Sequence, residues 1–228
     1  MVVNRLAENS GGYCFMERSA NTGLRNSGLK MSLTTLVLVV EAGSAGFYVT
    51  VTRSLAPIFM AFLGFSITGI MLVTSIAYLI ALAVILLLRW HGVRRIRNML
   101  LVSHGVERVA WGLLPLTAVL DWRMLVAVYA LAVSFAAITG LLIGVVVYNV
   151  PGENGPRRLI AYRNAAFTAT SIIGSLTSII VLAAMSSYFK YIYLYTLAAI
   201  IGLLATILLA LVKLPVADEA SAINSTVT

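Results

Sequence analysis

The hydrophobic residues of this chain are gathered in six long stretches, each bounded by charged or turn-forming residues. A helix needs about 20 apolar residues to cross a bilayer, and every stretch reaches that length. The stretches run over Ser32 to Phe62, Ile67 to Leu88, Met99 to Leu120, Met124 to Val150, Leu159 to Phe189 and Tyr191 to Val212. The pattern predicts an all-α integral membrane protein, with six transmembrane helices in a domain of residues 32–215.

Composition supports this class and excludes several others. Of the 228 residues, 61% are hydrophobic and 11% are charged, whereas soluble domains have about 45–50% apolar and about 25% charged residues. One cysteine, Cys14, and two histidines are too few for a disulfide framework or a Cys/His metal cluster. No nucleotide-binding loop or nucleophile elbow is present. We therefore expect no metal, no cofactor and no enzymatic activity.

The basic residues lie on alternate loops. They precede the first stretch and separate the second from the third and the fourth from the fifth, whereas each remaining loop carries at most one. The clustered residues are Arg5, Arg18, Arg25, Lys30, Arg89, Arg94, Arg95, Arg97, Arg157 and Arg158. By the positive-inside rule, both termini are cytoplasmic in a multi-pass protein of the cell membrane. The net charge of +8 then describes a cytoplasmic face and does not indicate a nucleic-acid partner.

The two ends of the chain are polar. Residues 1–31 contain no apolar segment of the kind found in a secretory signal peptide. They indicate either a disordered tail or a start codon assigned upstream of the true one at Met16 or Met31. Residues 216–228 are small and polar and indicate a second tail.

Glu41 interrupts the first stretch about 13 Å beyond Ser32, which is near the bilayer midplane. A charged residue at that depth is costly and is therefore a candidate functional group. We interpret Glu41 as a proton-coupling carboxyl group, and a structural acid bonded to a neighbouring helix is the equal alternative. Ser44, Tyr48 and Thr52 lie on the same helical face and are candidates to line a substrate pathway.

Arg53 lies about 18 Å along the helix from Glu41 and about 120° around it, so the two are not expected to pair. Two interpretations stay open for this arginine. It faces an outer vestibule, where it contacts anions or acts as a gate, or it extends to the lipid headgroups.

Glu107 and Arg108 place two charges inside the third stretch. Adjacent residues do not face each other on a helix, so we expect each to bond elsewhere, for example to the turn at Arg94 and Arg95. His104 is expected to be solvated near the cytoplasmic interface, with a proton relay as the alternative.

Arg163 and Asn164 open the fifth helix. An arginine at that position either binds lipid phosphates or borders the cytoplasmic mouth of a cavity, and the sequence favours the lipid.

Small residues at helical spacing predict close helix contacts. Gly43 and Gly46 lie beside Glu41 in the first helix, and Gly140 and Gly144 form a pair in the fourth. In the fifth helix a residue of this kind recurs every four positions, at Ala166, Thr170, Gly174 and Ser178.

The loop after the second helix reads Arg89-Trp90-His91-Gly92-Val93-Arg94-Arg95. It resembles the basic cytoplasmic turn of the major facilitator superfamily, with Gly92, Arg94 and Arg95 in matching positions. Arg89 stands where that family has an acidic residue, and Ile85 replaces its leading glycine. Two further segments resemble the same family: Pro57-Ile58-Phe59 with Leu63-Gly64-Phe65-Ser66, and the run from Val150 to Ala166.

The resemblance covers residues 31–215 and implies the amino-terminal six-helix half of a twelve-helix transporter. It also implies that the third helix is peripheral, so Glu107 and Arg108 are expected to have a structural role. It implies secondary transport of a small solute, with protons as a candidate coupling ion, across a pathway between two halves. Because the second half is missing, the chain is expected to pair with itself or with a separate chain. The alternative is a scaffold, an accessory subunit or a vestigial half-transporter that moves nothing.

Overall fold

The computed structural model describes residues 32–91, 95–150 and 155–212. Every regular element in these ranges is an α-helix. The helices are α1 (Leu33–Thr52), α2 (Ala56–Phe62), α3 (Ile67–His91), α4 (Ile96–Leu120), α5 (Trp122–Tyr148), α6 (Gly155–Ala184) and α7 (Phe189–Leu211). The predicted all-α class is confirmed, whereas both predicted tails, Gly92 and Arg94 lie outside the described residues.

The first predicted span consists of two helices. The helical hydrogen-bond pattern breaks over residues 53–55, and α2 then begins with Pro57 in its first turn. Proline lacks an N–H group, and the first turn of a helix does not use that group for a hydrogen bond within the helix. Gly64 follows α2 with a φ of +88°, a value that favours glycine and turns the chain towards α3.

The fifth predicted span ends too late. Helix α6 stops at Ala184, five residues before the predicted boundary at Phe189, and residues 185–188 form a turn before α7. Ser186 and Ser187 explain this ending, because serine favours turns over helix interiors. Helix α6 also begins at Gly155, before the predicted start at Leu159.

Five helical segments are long and apolar enough to cross a membrane, judged by length and composition. They are Leu33–Phe62, Ile67–Trp90, Trp122–Tyr148, Gly155–Ala184 and Phe189–Leu211. Helix α4 is also 25 residues long, but Glu107 and Arg108 interrupt its apolar run and it is not one of the five. The described chain is thus compatible with a multi-pass membrane protein.

The helices pack in the order α6, α1, α7, α4, α5 and α3, each in close contact with the next. One apolar cluster contains Tyr48, Phe59 and Trp111, and the other contains Leu38 and Leu100. Along both α1 and α4, the buried ionisable residues lie between these two clusters. The fold therefore places a polar layer in the middle of an apolar bundle.

The small residues of the first and fifth predicted helices lie in one contact, between α1 and α6. A Cβ atom on Gly46 would overlap the carbonyl oxygen of Phe167. Oγ1 of Thr170 donates to the carbonyl oxygen of Gly43 at 2.5 Å, and Oγ of Ser171 donates to that of Gly46 at 3.2 Å. These contacts fix the position of α1 against α6.

Gly140 and Gly144 do not form the helix contact that their spacing predicts. A Cβ atom on either residue would have no neighbour within 4 Å. Gly140 instead borders a cavity. Spacing identifies residues that permit a close approach, but it does not show that a helix makes one.

We predict that Gly46→Ala lowers the stability of the protein in detergent by about 1–3 kcal/mol, the usual cost of overpacking. Thermal unfolding followed by circular dichroism measures the change. Gly105→Ala is the control, since a Cβ there meets nothing within 4 Å and alanine favours a helix over glycine. Equal unfolding temperatures for both variants would contradict the proposed packing.

Candidate functional site

Helix α1 buries Glu41, Tyr48 and Thr52, three of the residues that the sequence singled out, and Ser44 is half-buried. Glu41 is 3% exposed, and Tyr48 and Thr52 are 0% exposed. The hydroxyl of Ser44 donates to the carbonyl oxygen of Glu41 at 2.7 Å, and that of Thr52 donates to the carbonyl oxygen of Tyr48 at 2.8 Å. Both hydroxyls are satisfied within their own helix. Glu41 and Arg53, which directly follows α1, line a cavity between α1, α4, α5 and α6.

The carboxylate of Glu41 lies between α4 and α6. Its Oε2 atom is 2.7 Å from Nη1 of Arg163, and its Oε1 atom is 3.3 Å from Nε2 of His104. Nη1 of Arg163 also donates to the carbonyl oxygen of Leu38 at 2.6 Å. The side chain of Arg163 is only 15% exposed, so it faces the bundle interior and not the lipid phosphates that the sequence favoured.

His104 is fully buried, which corrects the expectation that it is solvated. Its Nδ1 atom lies 2.6 Å from Oγ1 of Thr206 on α7. The hydroxyl of Thr206 donates to the carbonyl oxygen of Gly202 at 3.0 Å, so its oxygen accepts a hydrogen bond from the N–H at Nδ1 of His104. The prediction was wrong because α4 extends from the interface into the bundle. His104 lies eight residues after Ile96, the first residue of α4, which places it about 12 Å along the helix axis.

Nε2 of His104 has two possible partners. It lies 3.0 Å from Nη2 of Arg108 and 3.3 Å from Oε1 of Glu41. With Nδ1 protonated, an unprotonated Nε2 accepts from Arg108, whereas a protonated Nε2 donates to Glu41. A proton and Arg108 therefore compete for the same nitrogen lone pair.

Glu107 is shared by two arginines. Its Oε1 atom lies 2.6 Å from Nη2 of Arg53 and 2.8 Å from Nη1 of Arg108. The expectation that adjacent residues do not meet is wrong here, because the long arginine side chain bends back towards its neighbour. Tyr48 completes this group, with its ring centroid 3.8 Å from Cζ of Arg108, a cation–π distance.

Gly202 on α7 makes room for Arg108. A Cβ atom there would lie 2.5 Å from Cδ and 2.8 Å from Nε of the arginine. The sequence analysis missed this residue, because a single glycine in a charge-free apolar helix carries no signal of what packs against it.

These contacts join into one line of charges, which we call the charge chain. It runs through Arg163, Glu41, His104, Arg108, Glu107 and Arg53. Three arginines and two glutamates give it a net charge of +1 when His104 is neutral. Each carboxylate lies beside an arginine, as buried charges require.

Two cavities meet at Arg53. The first, the charged cavity, has a volume of about 210 Å³ and is bordered by Glu41, Glu107, Arg108 and Arg163 among others. The second, the aromatic cavity, has a volume of about 130 Å³, and its walls include Trp111 and Tyr129. Arg53 lines both, so its ion pair with Glu107 lies at the boundary between them.

Two other predicted site residues, Asn164 and Arg95, lie outside the charge chain. Asn164 is exposed and lines the charged cavity. Arg95 is exposed at the N-cap of α4, about 18 Å along the helix from Glu107. Glu107 instead bonds to Arg53 and Arg108. Arg95 therefore does not make the bond that was expected between Glu107 and the Arg94–Arg95 turn.

Within the described ranges, no group of three or more His, Cys, Asp or Glu side chains is positioned to hold a metal ion. Comparisons of the chain with protein-family models, curated proteins and solved structures found no match.

We predict that Glu107→Gln destabilises the protein by about 3–5 kcal/mol, because two arginines lose their shared carboxylate. Arg53→Gln should cost less, since the Arg53 side chain is 38% exposed. Because the two residues interact, the double variant should depart from the sum by about 0.5–3 kcal/mol. Thermal unfolding in detergent tests this cycle, and strict additivity would contradict the pairing. Asp121→Asn, at an exposed helix cap, is the control.

Proposed function

We propose that this chain is one half of a secondary transporter for a small solute. It crosses the cell membrane six times, with both termini cytoplasmic. Helix α4 crosses the membrane in addition to the five long apolar segments, which brings the number of spans to six. Its ionisable residues His104, Glu107 and Arg108 are buried against other helices and do not face lipid. The resemblance to the amino-terminal half of the major facilitator superfamily supports this proposal.

One observation carries the proposal: the charge chain crosses the middle of an apolar bundle and borders two cavities. Charged residues in membrane spans are rare and typically mark a solute or ion pathway. A purely structural ion pair does not need an adjoining cavity. The Arg53–Glu107 pair, at the boundary between the cavities, is suited to act as a gate.

Glu41 and His104 together form the proposed proton site. A proton bound between Oε1 of Glu41 and Nε2 of His104 displaces Arg108 from the imidazole. The proton also weakens the attraction between Glu41 and Arg163, because it partly neutralises the negative charge of the carboxylate. Proton binding therefore changes contacts with both α4 and α6, as a coupling step requires.

The exposed side of α6 supports a second half. Asn164, Thr168 and Ser175 are exposed there and fall on one stripe of the helix. Exposed polar side chains suit a protein partner or water better than lipid tails. We propose that this stripe faces a second copy of the chain, or a separate chain, across the pathway.

The alternative function is that of a membrane scaffold or accessory subunit. Within their apolar windows, α3 is 17% buried and α6 is 11% buried, so both offer large surfaces to partners. A scaffold accounts for these surfaces, but it does not account for the cavities beside the charge chain.

We predict that Glu41→Gln abolishes solute uptake driven by a pH gradient while leaving the protein folded. Proteoliposomes containing a pH-sensitive dye, tested with a panel of small solutes, measure the coupled proton flux. Asp121→Asn is the matched control, since it removes an exposed carboxylate outside both cavities. Unchanged flux in the Glu41 variant would reject the proton role of Glu41.

We predict that the purified protein in mild detergent has twice the mass of the 24.5 kDa chain. Light scattering measures the protein mass within the micelle. Thr168→Trp on the α6 stripe should reduce self-association, whereas Val109→Trp, at an exposed position of α4, should not. A monomeric wild-type mass would contradict self-pairing.

A further inference from the structure

The aromatic cavity has an unusual set of polar groups. Its walls are formed by Arg53 of the turn after α1, Tyr78 of α3, Trp111 of α4 and Tyr129 of α5, with Val133, Ala136 and Ala137 between them. The polar groups are one guanidinium, one indole N–H and two phenols. None of these residues is a carboxylate, so the side chains offer mainly hydrogen-bond donors and one positive charge.

Two of these donors have no partner. Trp111 is 1% exposed, and its Nε1 atom makes no hydrogen bond. The Nε atom of Arg53 is buried and also makes none. Buried donors without acceptors are rare in folded proteins, and each one needs an explanation. A ligand that supplies two acceptor oxygens is a direct explanation.

We propose that the aromatic cavity binds a small monocarboxylate. One carboxylate oxygen accepts from Nε of Arg53 and the other from Nε1 of Trp111, and the aromatic rings cover the apolar part of the solute. The volume of about 130 Å³ is below the range of about 300–1,000 Å³ for drug-sized ligands, so the solute has few carbon atoms.

Charge supports this ligand class. The charge chain carries a net +1 when His104 is neutral, and Arg53 is its end at this cavity. A monoanion beside Arg53 brings the total to zero. It also places a second negative charge beside the guanidinium that Glu107 binds through Nη2, so binding weakens the ion pair between the two cavities. This inference rests on the proposed transport function, because it names the solute class for the same pathway.

Trp111 provides the measurement. The chain has three tryptophans, and Trp90 and Trp122 are 85% and 59% exposed, so replacing both with Phe leaves Trp111 as the only indole. We predict a saturable change in its fluorescence on titration with acetate, in nanodiscs of phosphatidylcholine. Acetamide has nearly the same shape and no charge. It should bind at least about tenfold more weakly, because charge-assisted hydrogen bonds are about twice as strong as neutral ones.

Two variants test the assigned donors. Arg53→Gln should weaken acetate binding about tenfold or more, and Arg53→Lys should recover part of it through charge alone. Neither variant leaves Glu107 without a cation, since Arg108 stays 2.8 Å away. Arg123→Gln is the control, as Arg123 is exposed beside Trp122, outside both cavities.

Several outcomes would overturn the inference: an equal response to acetamide, an equal response to sodium chloride, or unchanged binding in the Arg53 variants. Loss of the acetate response in phosphatidylglycerol nanodiscs would instead assign the cavity to a lipid headgroup. Binding requires no gradient and no second half. Transport of a solute without acetate binding would therefore reject this inference alone, and acetate binding without any transport would reject only the proposed function.

Discussion

The cost of burying charge in an apolar bundle governs the arrangement of this protein. A lone charge at membrane depth costs about 2.5–3.5 kcal/mol on insertion scales, and the bundle interior contains two carboxylates and three guanidinium groups. Each carboxylate lies beside at least one arginine. Because Glu41 and Glu107 each contact two groups of the charge chain, removing either glutamate takes the carboxylate from two partners, whereas removing Arg53 leaves Glu107 beside Arg108.

The same chain explains why the bundle has cavities. Helices α1 and α4 make few close backbone contacts. Long side chains join α4 to α1, from Glu41 to His104, and to the turn after α1, from Arg53 to Glu107. Helices linked through such side chains stand further apart than helices packed through small residues, as at the α1–α6 contact. The space between them becomes the charged cavity. Gly202 has the opposite effect on α7, where its missing side chain lets Arg108 lie against the helix.

Local patterns predicted the helices well and the charge chain poorly. The apolar stretches predicted nearly all helix positions, because length and hydropathy are properties of one segment at a time. Glu41 was identified for the same reason, as a charge inside an apolar run. Its partners, Arg163 and His104, lie 122 and 63 residues away in the sequence, and no local pattern connects them. Gly140 shows the same limit, since its spacing predicts a contact that no described helix makes.

In the proposed transporter, the charge chain also determines the sign of coupling between proton and solute. A proton at Glu41 and His104 raises the net charge from +1 to +2, which strengthens the attraction for an anion at Arg53. By linkage, the anion strengthens proton binding by the same factor. A carrier that favours the doubly loaded state moves both in one direction. Because a monocarboxylate and a proton together carry no net charge, such a cycle is driven by the pH gradient and the solute gradient, and the membrane potential does no work on the cargo.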